Sequence, residues 1–232
     1  LVRACVRIRA EENRRAGRCV AGGYQLPLCD RGHSGSGELN PARDGAAHGN
    51  RSDGAHMTPN TTNIDIRPAT PADAPAIAAI HVASWQATYP GIMPAAFLAG
   101  LSVEKRTASW RHALDAGRPR VALAFAEGGP AGWIAYGPTR DIDKDRTWGE
   151  IEAIYLHPAH CGKGVGAALV DHACRALHDM GHEWVSLWVL FKNHRARAFY
   201  EREGFVAEDD IKTFEIEHTP IEEVRYWRAL PW

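Results

Sequence analysis

One segment restricts the fold of this chain more than any other. In Ile154-Tyr155-Leu156-His157-Pro158-Ala159-His160-Cys161-Gly162-Lys163-Gly164-Val165-Gly166-Ala167 a strand pattern passes through a glycine-rich turn straight into a helix. The helix is marked by Val165, Leu169, Ala173, Ala176, Leu177 and Met180, at i, i+4, i+8, i+11, i+12 and i+15, which form one apolar stripe. The first amides of a helix have no intrahelical acceptor and its N-terminus carries roughly +0.5 charge, so the turn predicts an anion site. Gly162, Gly164 and Gly166 admit close backbone approach, and Lys163 adds positive charge. Three readings remain at this point: a tight turn without a ligand, a pyrophosphate cradle, and a dinucleotide site, since Gly162 to Ala167 satisfies G-x-G-x-x-A. The last wants the turn after the first strand of its domain, with an acid about twenty residues on at the end of the next strand. Glu183 has the separation but precedes its strand. A nucleotide-triphosphatase loop is excluded, because no Gly-Lys-Ser/Thr occurs.

The chain divides near Met57. Residues 1–56 hold nine arginines, no lysine, six acids, nine glycines and one aromatic, Tyr24, whereas all eight tryptophans and all six phenylalanines follow. So little apolar surface cannot offset the ordering entropy, and this part is expected to be a disordered extension. Leu1 opens the sequence and Met57 is its first methionine, which fits an extension upstream of a natural start, with an Arg-rich targeting arm as the alternative. Residues 57–232 form the folded domain. The whole chain is 45% hydrophobic with a net charge of −1, so no global field favours nucleic acid or an anionic membrane. No apolar run approaches the roughly 18 residues of a membrane span, and five cysteines without a CxxC pair fit reduced thiols. A cytoplasmic protein with neither nucleic-acid nor membrane partners is expected.

Within the domain, Ile64 and Ile66 mark a strand, and Thr70-Pro71-Ala72-Asp73 a helix start, with Ala74, Ile77, Ala78 and His81 facing inward. Tyr89-Pro90-Gly91 breaks that helix, and a second helical region runs from Pro94 to about Ala116. Val121–Ala126 and Gly132–Tyr136 read as a hairpin, Trp148–Leu156 as a longer strand, Trp184–Phe191 as another, and Asn193–Arg202 as a helix. Two short strands near Phe214–Glu217 and Val224–Ala229 close the chain and offer a surface for a homodimer.

Leu156 to Ala167, together with Asn193 and Ala198-Phe199-Tyr200-Glu201-Arg202-Glu203-Gly204-Phe205, resembles the acetyl-CoA-binding core of the GCN5-related N-acetyltransferases (GNAT), and the resemblance spans about residues 62–230. It implies an α/β fold with a mixed central sheet, a splayed strand and flanking helices. It further implies acetyl-CoA as cosubstrate, held by the strand at Ile154, Tyr155 and Leu156 and by the turn at Gly162, Lys163, Gly164, Val165, Gly166 and Ala167. The family usually has Gln or Arg where this chain has Cys161, which puts one side-chain contact to the cofactor in doubt.

Acetylation of an amine needs its neutral form, yet an alkylammonium of pKa near 10.4 is neutral in only about one molecule in a thousand at pH 7.4. Glu150 and Glu152 share one face of their strand and are the candidate bases. By resemblance Glu150 ranks first, Tyr200 protonates the departing thiolate, Asn193 meets the pantetheine arm, and the amide of Leu156 faces the developing oxyanion. Each has an ordinary structural reading beside it: exposed strand carboxylates, a core tyrosine, a helix cap. Trp85 and Tyr89 are candidates for the acceptor pocket, or for helix packing. His157 and His160, three apart, lack further ligands nearby, and no metal is expected. The expected activity is direct acetyl transfer to a primary amine of a small molecule or a protein. The alternatives are an acyl-CoA sensor without turnover and a dinucleotide-dependent enzyme.

Overall fold

The structure, a computed structural model, describes residues 63–230. The expected disordered extension, residues 1–56, lies outside them. One seven-stranded sheet organises the domain, formed by β1 (Asp65–Pro68), β2 (Arg120–Ala126), β3 (Gly129–Pro138), β4 (Trp148–Leu156), β5 (Trp184–Leu190), β6 (Val206–Ile216) and β7 (Thr219–Ala229). Their order across the sheet is β1-β2-β3-β4-β5-β7-β6. Every neighbouring pair is antiparallel except β4 with β5. A dinucleotide fold would need a largely parallel sheet with its glycine turn after the first strand. Here the turn follows the fourth strand, and β4 and β5 make the single parallel pair.

Helices cover both faces. On one lie α4 (Val165–Asp179) and α5 (His194–Arg202), on the other α1 (Ala74–Thr88), α2 (Ala95–Ala99) and α3 (Val103–Asp115). The α4 stripe read from sequence is the buried one: Val165, Leu169, Ala173 and Leu177 are fully enclosed against Ile134, Ile151, Val185 and Leu187. Burying a leucine of this kind contributes about 1.5–3 kcal/mol. The helical region expected over Pro94 to Ala116 is two helices. Ser102 interrupts it, accepting a hydrogen bond from Lys105 N–H (3.2 Å) as the N-cap of α3.

The opposite core is aromatic. His81 stacks on Tyr155 at 4.9 Å, lies beside Trp85 and Trp133, and accepts a hydrogen bond at Nδ1 from the Trp110 indole (3.2 Å). Burial, reinforced by the positive charge of Arg106, pushes the His81 pKa down to about 3. An unfolded histidine titrates near 6.5, so between those values the unfolded chain binds the extra proton. The stabilisation from neutral His81 is therefore complete above about pH 6.5 and is lost as pH falls towards 3. His81→Gln, which keeps an acceptor for Trp110, is expected to flatten the acid limb of stability by up to about 1.4 kcal/mol per pH unit. Urea unfolding at several pH values measures the slope, and an unchanged slope would reject the assignment.

Between β3 and β4 the chain passes through a charged loop that is tied down by its first residues. At its start, Arg140 reaches the carboxylates of β4. Immediately after it, Asp141 is buried and accepts from Trp188 Nε1 (2.8 Å) and Lys212 Nζ (2.6 Å). The buried Arg225 joins Asp141 (3.3 Å), Asp143 (2.7 Å), Glu208 (2.6 Å) and Asp210. The loop is thereby fastened to β5, β6 and β7.

Candidate active site

β4 and β5 part company midway. Their parallel register covers Trp148↔Trp184 through Ile151↔Leu187 and then stops, although β4 continues to Leu156 and β5 to Leu190. The outer edges of both strands stay paired, β4 with β3 as far as Leu156 and β5 with β7 as far as Leu190. A fork results, with the inner backbone edge of residues 152–156 facing an opening instead of a strand. The register of β3 against β4 also shifts at this level, between Ala135 and Tyr136, so that Ala135 faces Ala153 and Tyr136 faces Ile151. Such a bulge re-aims the neighbouring side chains.

The glycine turn stands at the mouth of the fork. Gly164 is the N-cap of α4 with φ 84°, a left-handed conformation that a side chain resists. At the start of α4 a backbone hydrogen bond runs from Ala168 N–H to Gly164 C=O (3.1 Å). The amides of Val165, Gly166 and Ala167 precede it and, as at any helix start, have no intrahelical acceptor. Gly166 serves packing as well, because a Cβ there would sit 3.3 Å from the Phe199 ring of α5. Cys161 is half-buried beside the turn, and Lys163 extends to Glu127 (2.8 Å) on the β2–β3 hairpin. The turn thus offers backbone donors, with Lys163 nearby in a solvent-exposed pair with Glu127.

The side chains of the three β4 positions Ile154, Tyr155 and Leu156 belong to the two cores: Ile154 and Leu156 pack against the α4 side, and Tyr155 lies in the aromatic side. What they leave for a ligand is main chain. Asn193 uses its side-chain oxygen to cap α5, accepting from Ala196 N–H (3.2 Å). Tyr200 is buried against Phe199, Phe205 and Tyr226. Burial pushes its hydroxyl well above the ordinary tyrosine pKa, and Tyr89 acts in the same direction.

The two carboxylates converge as their spacing required, on a residue that sequence reasoning missed. Glu150 accepts from Arg140 backbone N–H (3.0 Å) and Nε (2.9 Å) at Oε2, and from Nη2 (2.5 Å) at Oε1. Glu152 pairs with Nη1 of the same guanidinium (2.8 Å). Burial opposes the charge on Arg140, but the hydrogen bonds and charge of Glu150, with the charges of Glu152 and Asp141, outweigh it and raise the Arg140 pKa. Glu150, ranked first from sequence, thus has both oxygens engaged. Glu152 is the carboxylate that lines a cavity of about 800 Å³ between α3, the β2–β3 pair and β4. Ala153, at the level where the fork opens, lines it too. Trp85 and Tyr89, expected at an acceptor pocket, are not among its walls; both are buried in the aromatic core. The walls instead carry Arg106, Arg118, Arg120 and Arg140. Nothing in the local sequence pattern marks these four arginines, which come from a helix, a turn, a strand start and a loop. Among the described residues no group of three or more His, Cys, Asp or Glu side chains is arranged to hold a metal ion. Nor, among them, is any helix long and apolar enough to cross a membrane.

Comparison with known proteins agrees with this geometry. The model of the acetyltransferase (GNAT) family matches residues 79–205. A Mycobacterium tuberculosis protein named "Probable N-acetyltransferase Rv2775" is 33% identical over 147 residues, covering 62% of this chain and 80% of its own. The "Uncharacterized N-acetyltransferase YuaI" of Bacillus subtilis is 31% identical over 164 residues, covering 69% and 90%. Among solved structures, YncA of Salmonella typhimurium, a putative acetyltransferase determined with acetyl-CoA, superposes with a TM-score of 0.56 over 74% of this chain and 96% of its own, at 21% identity.

Proposed function

The chain belongs to the acetyltransferase (GNAT) family, and on that premise we propose that it transfers the acetyl group of acetyl-CoA directly to a primary amine. The observation that carries this reading is the fork between β4 and β5 with the glycine turn at its mouth. The residues fit the cosubstrate. Amides of Val165, Gly166 and Ala167 suit a diphosphate, and the inner edge of residues 152–156 suits an amide-bearing pantetheine arm. When bound, acetyl-CoA supplies an activated acyl carbon; the protein positions it and manages two protons.

Glu152 takes the role of base, because it lines the cavity while Glu150 is engaged on both oxygens by Arg140. A carboxylate paired with a guanidinium is a weak base, so Glu152 passes the ammonium proton onward to solvent rather than storing it. Tyr200 retains its proton through the neutral range, and we assign it to hydrogen-bond the departing sulfur, which takes up its proton as the C–S bond breaks. Glu150 and Arg140 position Glu152. Glu152→Gln is expected to lower kcat about 100-fold at pH 7, with KM for acetyl-CoA unchanged. The deficit should shrink as pH approaches the pKa of the amine, where the neutral form needs no base. A deficit constant across about pH 7–10, followed by thiol release, would reject the role.

One observation favours a second reading, a sensor that binds acyl-CoA without turnover: both candidate carboxylates are held by Arg140. Acetyl-CoA binding without thiol release across a broad amine panel would select it.

A further inference from the structure

The cavity beside Glu152 has a charge that the chain as a whole does not. Four arginines, Arg106, Arg118, Arg120 and Arg140, and one glutamate, Glu152, are among the residues that line it, while the net charge of the full sequence is −1. Arg140 is satisfied by Glu150 and Glu152. The other three have no carboxylate within ion-pair distance among the described residues. Some cations elsewhere are matched, Arg67 by Asp73 and Lys144 by Glu208, while others among the described residues, such as Lys105, Arg111, Arg146, Lys192 and Arg195, are not, so the absence of a partner alone does not set these three apart. What distinguishes them is their grouping: all three border one concavity that also holds Glu152. Arg106 is half-buried, with its guanidinium 5.8 Å from the Trp85 ring.

We propose that the acceptor is a small amine that also carries an anionic group, a carboxylate, phosphonate or phosphate, and that Arg106, Arg118 and Arg120 bind that group. The proposal rests on the acetyltransferase reading above and names its substrate class. A guanidinium presents paired N–H donors that match two oxygens of such a group, and it keeps its charge at every working pH. A volume of about 800 Å³ suits a small molecule, within the usual range of about 300–1,000 Å³ for ligand sites. The arrangement also sorts the two ends of the acceptor. Guanidiniums repel the ammonium from the outer wall, and Glu152, at the level of the fork, attracts it to where the acyl group is delivered. There the N–C bond forms as the C–S bond breaks. Of the three N–H protons of the ammonium, one leaves for solvent through Glu152 before attack, and one stays on the amide nitrogen. The last is lost as the amide forms and is balanced by the proton that ends on the thiol.

Matched amines provide the test. Thiol release is followed with 4-aminobutyrate against butylamine, 3-aminopropylphosphonate against propylamine, and each common L-amino acid against its decarboxylated amine, with rates corrected for the neutral-amine fraction. The anionic member of the best pair is expected to have at least about tenfold higher kcat/KM, through KM. Arg106→Gln/Arg118→Gln/Arg120→Gln should erase that preference while KM for acetyl-CoA stays the same, and its melting temperature checks that it folds. Equal or better rates with the neutral amines, or a preference that survives the triple substitution, would overturn the proposal. Calorimetric titration of the same amines into CoA-saturated protein separates it from the reading on which it rests. Arginine-dependent binding without any turnover would keep the anion site and reject acetyl transfer. Turnover confined to neutral amines would do the reverse. Intact CoA binding with neither binding nor turnover of any anionic amine rejects the inference.

Discussion

Gly164→Val is expected to weaken acetyl-CoA binding about a thousandfold while leaving the fold intact. Gly164 holds φ 84° at the start of α4, and a Cβ added there would come no nearer to another atom than 3.9 Å, from Ile64 Cδ1. Space is available inside the protein; conformation is not. A β-branched residue at positive φ costs about 1–3 kcal/mol, and the turn can relieve that strain by rotating its peptide units. Rotation misdirects the amides just where a diphosphate would need them together. Each hydrogen bond to a charged group is worth about 1.5–3 kcal/mol, so losing two accounts for the expected factor. Gly164→Ala, which adds strain without a branched side chain, should fall between the two. Equilibrium binding of acetyl-CoA to the three proteins decides the matter: equal affinities would show that the diphosphate is held elsewhere.

The second large effect is on stability. Arg225→Met is expected to cost about 3 kcal/mol and to lower the melting temperature by about 6–12 °C. Arg225 is 3% exposed and engages four carboxylates, with its guanidinium 5.2 Å from the Trp188 ring. Removing one partner of a buried pair strands the others, at about 3–5 kcal/mol. The lower end applies, because Asp143 and Asp210 are half in water and Asp141 retains Lys212 and Trp188. The network stabilises ionised acids: Asp141 and Glu208 both titrate below their ordinary values in spite of burial. Its contribution is therefore present above the usual carboxylate pKa and fades as pH falls through the lowered folded values. Thermal unfolding at neutral pH measures the loss, and a shift of under about 2 °C would show that the acids rearrange at little cost.

The parts of the domain that were legible in sequence are those whose pattern is local. β4 coincides with the strand read over Trp148–Leu156, and α4 and α5 follow their apolar stripes and caps. Of β6 only the end was read, as the strand near Phe214–Glu217; its earlier part escaped because it lies at the sheet edge, where most of Val206–Glu215 faces solvent and the Glu208-Asp209-Asp210 run has no apolar alternation to detect. β7 begins earlier than expected for a related reason, since Pro220 and Glu222 stand on its outer side. The break at Ser102 was readable in principle, as a serine followed three residues on by the amide it caps. In the site, residue spacing sufficed to bring Glu150 and Glu152 to one partner, but it could not name that partner. Arg140 lies ten residues before Glu150 in a charged loop, and only the chain reversal into β4 joins them. The same holds for the arginines of the cavity, which share no pattern until α3, β2 and the loop are folded together.

The four registered pairs that join β4 to β5 have one more consequence. They are the seam along which the left and right halves of the sheet are sewn, and beyond it the fabric is left unstitched. On the proposed reading, an extended amide-bearing chain laid in that gap would supply the missing rungs, and the substrate would become a temporary structural member. Loading would then tie the two halves more tightly, and release would loosen them again.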